Sequence, residues 1–300
     1  MLMPLIDDYL RVRRAAGFQL RVTEGLLRDF ARCAEGAGDT HVRTLTAIGW
    51  AAQAPSVRQR QRRLRAVALF AEHVRAEDPA HEVPSAAVFS TPRLRRIPHI
   101  YSPQEVAGLI TEAGRLGPAS SLRPATFSTL FGLVAACGLR VSEALALHLD
   151  DVTADGLVVR QTKFRKSRLV PIHESTRRAL DGYLARRLAV VTDSRHLFIS
   201  TRGRQLAYST TAATFLAVAR EVGLRGEPGT SGPRLHDLRH TFAVRALESC
   251  PRDDVAHHMQ ALSTYLGHAR LADTYWYLHA TPQLMTGIAD ACRERMEVTP

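Results

Sequence analysis

The segment from Arg234 to His279 concentrates side chains that can act on a charged substrate. It reads RLHDLRHTFAV, then a mixed stretch, then YLGHARLADTYWYLH. A helix over residues 235–247 places three of these side chains on one face, because residues three and four apart are neighbours on a helix. The three are His236, Arg239 and His240. One face therefore offers two imidazoles and a guanidinium, and Tyr275 and Tyr277 follow as candidate nucleophiles.

A tyrosine among cations suits the breaking and rejoining of phosphodiesters. The phenol oxygen can attack phosphorus in line and form a covalent phosphotyrosyl link, and rejoining is the same step reversed. Negative charge spreads over the phosphate oxygens during this step, so cations must surround them. Guanidinium forks match those oxygens and stay charged, and with two such clamps no metal is required. The sequence predicts neither a metal nor another cofactor.

Four short motifs resemble those of the tyrosine recombinases, the phage integrase and Xer-like site-specific recombinases. In chain order they are Gly138-Leu-Arg140-Val-Ser-Glu143, His236-Asp-Leu-Arg239-His240, Leu266-Gly-His268 and Thr274-Tyr-Trp-Tyr277-Leu-His279. The resemblance is close from Tyr101 to Ala280 and general before it. It implies DNA strand exchange through a 3′-phosphotyrosine intermediate, in integration, excision or resolution, as in mobile elements.

The resemblance assigns roles to the matched residues. It makes Arg140 and Arg239 the phosphate clamp, His236 the base that helps to deprotonate the phenol, and His268 a hydrogen-bond donor to the phosphate. Glu143, one helical turn after Arg140, is expected to orient an arginine or a neighbouring residue rather than to react.

The same resemblance chooses between the two tyrosines. On a helix, residues two apart point about 200° away from each other, so only one can face the clamp. The TxxYxH match selects Tyr277 as the nucleophile. Tyr275 and Trp276 are then expected to be packing residues.

Lysine is nearly absent from this basic chain. Of 40 basic residues 38 are arginine, and the two lysines are Lys163 and Lys166. Arginine donates a proton poorly because its pKa is above ~12, whereas neighbouring guanidinium charges can lower the pKa of an ammonium from ~10. By position Lys163 matches the family's general acid, which protonates the leaving 5′ oxygen. Lys166 is expected to contact phosphate.

Length and charge limit the classes of protein to which this chain can belong. The chain has 300 residues, enough for two domains, and a formal net charge of +11. This charge favours a polyanionic partner, and double-stranded DNA is the leading one.

Four widely spaced cysteines form no CxxC pair and predict neither a zinc ribbon nor a disulfide framework. No membrane span or signal pattern is evident, so we expect a cytoplasmic protein.

Residues 1–82 predict a four-helix domain, and the resemblance implies that it binds the core DNA site. The expected helices run from residue 4 to 16, from Thr23 to Gly36, from Asp39 or Thr40 to Gln53, and from Ser56 to Glu77. The fourth helix has an inward seam of Val57, Leu64, Val67, Ala71 and Val74. Another face carries Arg58, Arg62 and Arg65, which suits a phosphate backbone; a merely solvated charged face is the alternative.

Residues 83–100 predict a basic, proline-containing linker. Its Arg93, Arg95 and Arg96 are candidate DNA contacts, and a solvated tether is the alternative. A catalytic domain then occupies residues 101–300, opening at the Ser102-Pro103-Gln-Glu105 capping box.

The catalytic domain is predicted to be helical with a small sheet. Helices are expected over residues 122–138, 141–147, 175–190, 210–221 and 235–247. Short β-rich runs at 157–161 and 168–172 predict a hairpin with residues 163–167 at its tip, and 197–200 a further strand. The fold class is therefore mainly α with a small antiparallel sheet: a four-helix core-binding domain plus an α+β tyrosine-recombinase catalytic domain.

Three alternative functions are open at this point. Type IB topoisomerase activity uses the same chemistry, and a catalytically idle DNA-binding subunit of a multi-recombinase assembly would keep the same fold. The third alternative is a metallohydrolase, because residues 236–240 resemble the HExxH zinc helix. However, Asp237 stands where a glutamate base is expected, and no third ligand is clear.

Two segments bear on assembly and on departures from the family. Residues 248–258 form a longer connection than in compact Xer-like proteins, which leaves His257 and His258 unassigned. Beyond the nucleophile, residues 281–298 contain a helical spacing of Leu284, Ile288 and Cys292. The resemblance implies that this tail docks on a neighbouring subunit, in dimers to tetramers on DNA and possibly with sister recombinases; packing on its own domain is the alternative.

Overall fold

The computed structural model describes residues 2–90, 96–160, 167–250, 255–268, 270, 272–275 and 277, without the side chains of Asp273 and Tyr275. The chain divides into two compact units, residues 1–95 and 96–300. Within the described ranges, no helix combines the length and apolar character needed to cross a membrane.

The first unit is a bundle of four helices around one core. Helices α1 to α4 span Leu2–Ala15, Arg21–Gly36, Thr44–Ala52 and Val57–Arg75. The core contains Ile6, Leu10, Leu27, Phe30, Trp50 and Phe70. The Trp50 indole N–H donates to Asp29 Oδ2 at 3.0 Å, so its polar atom is satisfied where the ring leaves the core.

The predicted start of α2 is wrong. Helix α2 begins at Arg21, so Thr23 lies inside its first turn rather than at its N-cap. The N-cap position is Leu20, which has a left-handed backbone with φ of 48° and makes no side-chain capping bond.

The predicted start of α3 is also wrong, because partners distant in sequence hold its entry. The helix begins at Thr44 instead of following Asp39 or Thr40. Thr44 N–H donates to Glu82 Oε2 at 2.7 Å, so a carboxylate from beyond α4 satisfies an amide at the start of α3. Asp39 instead accepts from the hydroxyl of Thr46 at 2.5 Å.

Helix α4 follows its prediction except at its first residue. Ser56 Oγ accepts from Gln59 N–H at 3.3 Å, which confirms the cap. The seam of Leu64, Val67, Ala71 and Val74 is buried. Val57 is 42% exposed, because the buried part of α4 begins only at Leu64.

The predicted linker residues 83–90 pack on the first unit. Val83 and Phe89 lie against its core. Tyr101 is buried in the core of the second unit, and its N–H donates to Thr241 Oγ1 at 2.9 Å.

Among the described residues, the second unit contains eight α-helices and one short 3-10 turn. Helices α5 to α12 span Pro103–Ala113, Arg123–Cys137, Val141–Ala146, Glu174–Leu188, Tyr208–Glu221, Asp237–Glu248, Val255–Leu266 and Ala272–Tyr275, with a 3-10 turn at Leu149–Asp151. The Ser102 capping box is present: Ser102 Oγ accepts from Glu105 N–H, and Glu105 Oε2 accepts from Ser102 N–H. Phe131 and Phe215 meet edge to face at 5.4 Å in the main core.

A small antiparallel sheet lies within this helical unit. Strands β1 to β3 span Val152–Thr153, Gly156–Val159 and Arg168–Val170, in the order β1-β2-β3. Leu157 pairs with Val170, and Val159 pairs with Arg168, which confirms the predicted hairpin. The hairpin tip that carries Lys163 and Lys166 lies outside the described residues.

The strand predicted over residues 197–200 is wrong. Only isolated bridges form there, between His148 and His196 and between Ile199 and Gln205. Leu197 N–H donates to Leu147 O at 2.8 Å, so this segment makes single bonds to separate neighbours rather than a continuous ladder.

Candidate functional site

The turn between α6 and α7 places Arg140 at the site. Gly138 ends α6 with φ of +59°, and a Cβ there would lie 2.4 Å from the Phe242 ring. Glycine thus allows both the left-handed backbone and the close approach of α10. Arg140 then stands at the N-cap of α7, where its N–H donates to Glu143 Oε2 at 3.0 Å.

The Arg140 guanidinium is held by one carboxylate and two backbone carbonyls. Its Nη1 donates to Glu143 Oε1 at 2.7 Å and to Leu266 O at 3.5 Å, and its Nη2 donates to Gly267 O at 3.1 Å. The side chain is 30% exposed, so this cation faces the surface.

Arg239 reaches the same carbonyl from α10. Its Nη1 donates to Gly138 O at 2.7 Å, and its Nη2 donates to Leu266 O at 2.8 Å. The residue is only 1% exposed. Burial, with the nearby charge of Arg140, lowers the pKa of Arg239 to about 10, which still leaves it charged at neutral pH. Two guanidiniums therefore converge on the Leu266 carbonyl.

Glu143 is shared among the cations. Arg168 of β3 donates to both of its oxygens, at 3.1 and 2.8 Å, while Arg140 donates to Oε1. Burial would raise the pKa of this carboxyl, but the bonds from Arg168 and the Arg140 amide outweigh it and lower the pKa to about 2. Glu143 therefore orients arginines as an anion.

His268 joins the cluster through the end of α11. Its Nε2 lies 3.1 Å from Arg239 Nη2, and its Nδ1 lies 2.7 Å from Thr274 Oγ1. Thr274 is fully buried, so the imidazole is fixed between a guanidinium and a hydroxyl. The ring also stacks on that of Tyr277, with centroids 6.1 Å apart.

Tyr277 lies next to the cluster, with its ring in a small core. The residue is 3% exposed and packs with apolar side chains of α10 and α11. Its hydroxyl is 3.3 Å from His240 Nδ1. The phenol oxygen therefore contacts an imidazole in this arrangement.

The two histidines at the start of α10 differ in exposure, since His236 is exposed and His240 is half-buried. His236 is exposed at the start of α10, and its ring meets that of His240 edge to face with centroids 4.8 Å apart. Burial, and then the charge of His236, lowers the pKa of His240 to about 4. His240 is therefore neutral at physiological pH and can accept a hydrogen bond from the phenol.

The structure brings together four of the six predicted catalytic residues, Arg140, Arg239, His268 and Tyr277, with His236 one helical turn from His240. The sixth, Lys163, lies outside the described residues, as do Lys166, Arg93 and Arg95. Arg96 is exposed, and its Nη2 donates to Gly232 O at 3.0 Å.

The predicted DNA-binding arginines of the first unit all lie on α4, and all of them are exposed. They are Arg58, Arg62 and Arg65. Exposure on one helix face is compatible with phosphate contacts, and the assignment stays a prediction.

Sequence reasoning missed two residues of the cluster. His240 was placed on the reactive face of the helix but given no role, although it contacts the phenol. Arg168 looked like a strand residue, and only the fold carries its side chain to Glu143. The available signal was the position of this arginine, which directly follows the lysine-bearing hairpin tip in the sequence.

Comparison with known proteins places the chain in a family. Residues 103–283 match the phage integrase family. The protein y4rB of Sinorhizobium fredii, an integrase/recombinase by name, is 40% identical over 293 residues, covering 93% of each chain. Tyrosine recombinase XerC of Pseudomonas fluorescens is 33% identical over 161 residues, 53% of this chain and 50% of XerC.

A solved structure shares the fold. The lambda integrase tetramer bound to a Holliday junction has a TM-score of 0.66 and 15% identity, covering 92% of this chain and 76% of lambda integrase. The family match over residues 103–283 and the identity to y4rB show that the chain belongs to the phage integrase family of tyrosine recombinases.

Proposed function

We propose that this recombinase cleaves and rejoins DNA strands at specific sites with Tyr277 as its nucleophile. The phenol oxygen forms a bond to phosphorus as the bond from phosphorus to the 5′ oxygen breaks. This leaves a 3′-phosphotyrosine link and a free 5′ hydroxyl. Attack by the 5′ hydroxyl of another strand reverses the step and releases the tyrosine, so no bond energy is lost.

The observation that carries this proposal is the convergence of Arg140 and Arg239 on the Leu266 carbonyl, beside His268 and Tyr277. Two guanidiniums fixed within one small region stabilise the charge that develops on phosphate oxygens. Among the described residues, Glu143 is the only carboxylate that pairs with Arg140 or Arg239, so the cluster carries a net positive charge.

The roles of His236 and Lys163 follow the family resemblance, and that of His240 follows from its contact with the phenol. His236 acts as the base in the DNA complex, and His240 holds the phenol before DNA binds. Lys163 protonates the leaving 5′ oxygen. None of these steps requires a metal or cofactor.

Double-stranded DNA is the proposed partner, with self-association on it. We assign DNA core binding to residues 1–82, through Arg58, Arg62 and Arg65, and catalysis to residues 101–300, with residues 83–100 between them. The reaction would take place in the cytoplasm. Exposed arginine on α4 and the net charge of +11 support this assignment.

Covalent trapping tests the proposal. The protein is incubated with DNA fragments of the genome that encodes it, and the DNA that stays attached after denaturation is sequenced to reveal the site. Tyr277→Phe should abolish attachment while leaving DNA affinity nearly intact, because it removes one oxygen and no positive charge. Tyr275→Phe is the matched control and should stay active.

The outcomes separate the alternatives. An adduct that persists in Tyr277→Phe and disappears in Tyr275→Phe would refute the choice of nucleophile. Binding without any adduct in the parent protein would identify an idle DNA-binding subunit. Relaxation of supercoiled DNA without exchange between two sites would indicate a topoisomerase.

A further inference from the structure

We propose that Arg168 is a positioning residue that stops Glu143 from neutralising Arg140, and so preserves the charge of the phosphate clamp. The inference rests on the proposed function and adds a residue to its machinery. It follows from the way three guanidiniums share one carboxylate.

Arg168 occupies both oxygens of Glu143. Its Nη1 lies 3.1 Å from Oε1 and its Nη2 lies 2.8 Å from Oε2, which is the paired geometry that arginine forms best with carboxylates. The two side chains are 14% and 8% exposed, so solvent screens the pair little.

Arg140 is consequently left with part of the carboxylate. It contacts Glu143 Oε1 through Nη1 alone, while Nη2 turns to Gly267 O at 3.1 Å. Arg140 is also the more exposed of the two arginines, at 30% against 14%. Without Arg168, both oxygens of Glu143 would be available to Arg140, and a paired ion bridge there would compete directly with phosphate.

The charge balance supports this division of roles. Arg140, Arg168 and Arg239 surround the single carboxylate of Glu143, with Arg239 Nη1 3.9 Å from Oε2. Three positive charges against one negative charge leave a surplus for an incoming phosphate. Removing Arg168 removes one positive charge and also frees the negative one to bind Arg140.

Arg168 also links the clamp to the hairpin and to the segment before the nucleophile. It pairs with Val159 across the sheet, at the base of the segment that carries Lys163. Its guanidinium lies so close to Gly267 that a Cβ there would be 2.9 Å from Nη1. One side chain thus touches the hairpin base, Glu143 and the residue next to His268.

The test compares two arginines that flank the same hairpin tip. Arg168→Met removes the proposed positioning residue. Arg160→Met is the matched control, since Arg160 also pairs with a carboxylate, but with Asp151, which is outside the clamp. The probe is a nicked duplex of the site recovered by covalent trapping, made either with a normal scissile phosphate or with a methylphosphonate that lacks one negative charge.

A weakened clamp should matter less when the phosphate carries less charge. On the normal phosphate, Arg168→Met should slow single-turnover cleavage about 100-fold, because neutralising Arg140 is equivalent to losing one donor to the transition state. On the methylphosphonate the same variant should fall only a few-fold below the parent, and Arg160→Met should match the parent on both. Equal losses of Arg168→Met on the two substrates would show a general structural defect and overturn the inference, as would no loss on either.

A double variant protects the test against misfolding. The Glu143→Gln variant has no carboxylate charge that could neutralise Arg140, so adding Arg168→Met should reduce its cleavage rate little further. If the double variant instead loses the product of the two single effects, the inference is wrong. If the parent cleaves neither duplex, the proposed function itself fails; if the parent cleaves and the pattern above is absent, only the role of Arg168 fails.

Discussion

At the scale of single residues, the site is built on cations fixed by backbone carbonyls. Arg239 donates to Gly138 O and Leu266 O from a position that is 1% exposed. A lysine could not reproduce this fork, because its ammonium is a point charge without the planar pair of donors. Arginine is therefore suited to the clamp, and a different residue type is needed wherever a proton must move.

That requirement gives a prediction for Lys163. Lys163→Arg should bind DNA but cleave it poorly, because a guanidinium donates a proton badly to the leaving 5′ oxygen. Replacing that oxygen by sulfur, whose thiolate leaves without protonation, should restore cleavage toward the parent rate. Lys166→Arg is the control and should be mildly affected. Failure of sulfur to restore cleavage, with DNA binding intact, would remove Lys163 from the general-acid role.

At the scale of elements, local patterns predicted most helices and missed bonds made at long range. The Ser56 cap and the Ser102 capping box were predictable because both partners lie within one helical turn. The start of α3 was not, since its partners His81 and Glu82 come after α4. Arg168 escaped prediction for the same reason, because its partner Glu143 belongs to another element.

The entry of α3 should be sensitive to acid. Val42 N–H donates to His81 Nδ1 at 3.0 Å, which puts the proton of the neutral ring on Nε2, toward Asp78. Burial, and then the charge of His41, lowers the pKa of His81, although Asp78 opposes this shift. The unfolded chain takes up the proton near pH ~6.5, so this contribution to stability is complete above that pH and is lost as the pH falls through the lowered pKa.

Hydrogen exchange at Val42 measures this effect. The protection factor of its amide should drop on acidification in the parent protein and change less in His81→Gln, whose amide oxygen accepts the same bond without titrating. His257→Gln, at an exposed position on α11, should behave like the parent. The same pH dependence in His81→Gln and the parent would contradict the assignment.

At the scale of the whole molecule, the charge of +11 predicts binding that depends strongly on salt. Changing Arg58, Arg62 and Arg65 together to glutamine should weaken binding to the recovered site and reduce the slope of log affinity against log salt by up to about 3, since each phosphate contact contributes about 0.9. The slope is measured by titrating affinity over a range of salt concentrations.

The control removes the same charge elsewhere. Arg11, Arg32 and Arg178 are exposed arginines that each pair with a carboxylate on their own helix, and changing all three to glutamine should leave the slope nearly unchanged. If both triple variants reduce the slope of log affinity against log salt by the same amount, the α4 face has no special part in DNA binding. The salt dependence then reflects only the total charge of the protein.

Mapping the covalent bond between protein and DNA tests the role of Tyr277 most directly. The trapped complex is digested with protease and nuclease, and the nucleotide-bearing peptide is sequenced by mass spectrometry. We expect a nucleotide joined through its 3′ phosphate to Tyr277, with a free 5′ hydroxyl on the released strand. A nucleotide on Tyr275, or a link through a 5′ phosphate, would contradict it.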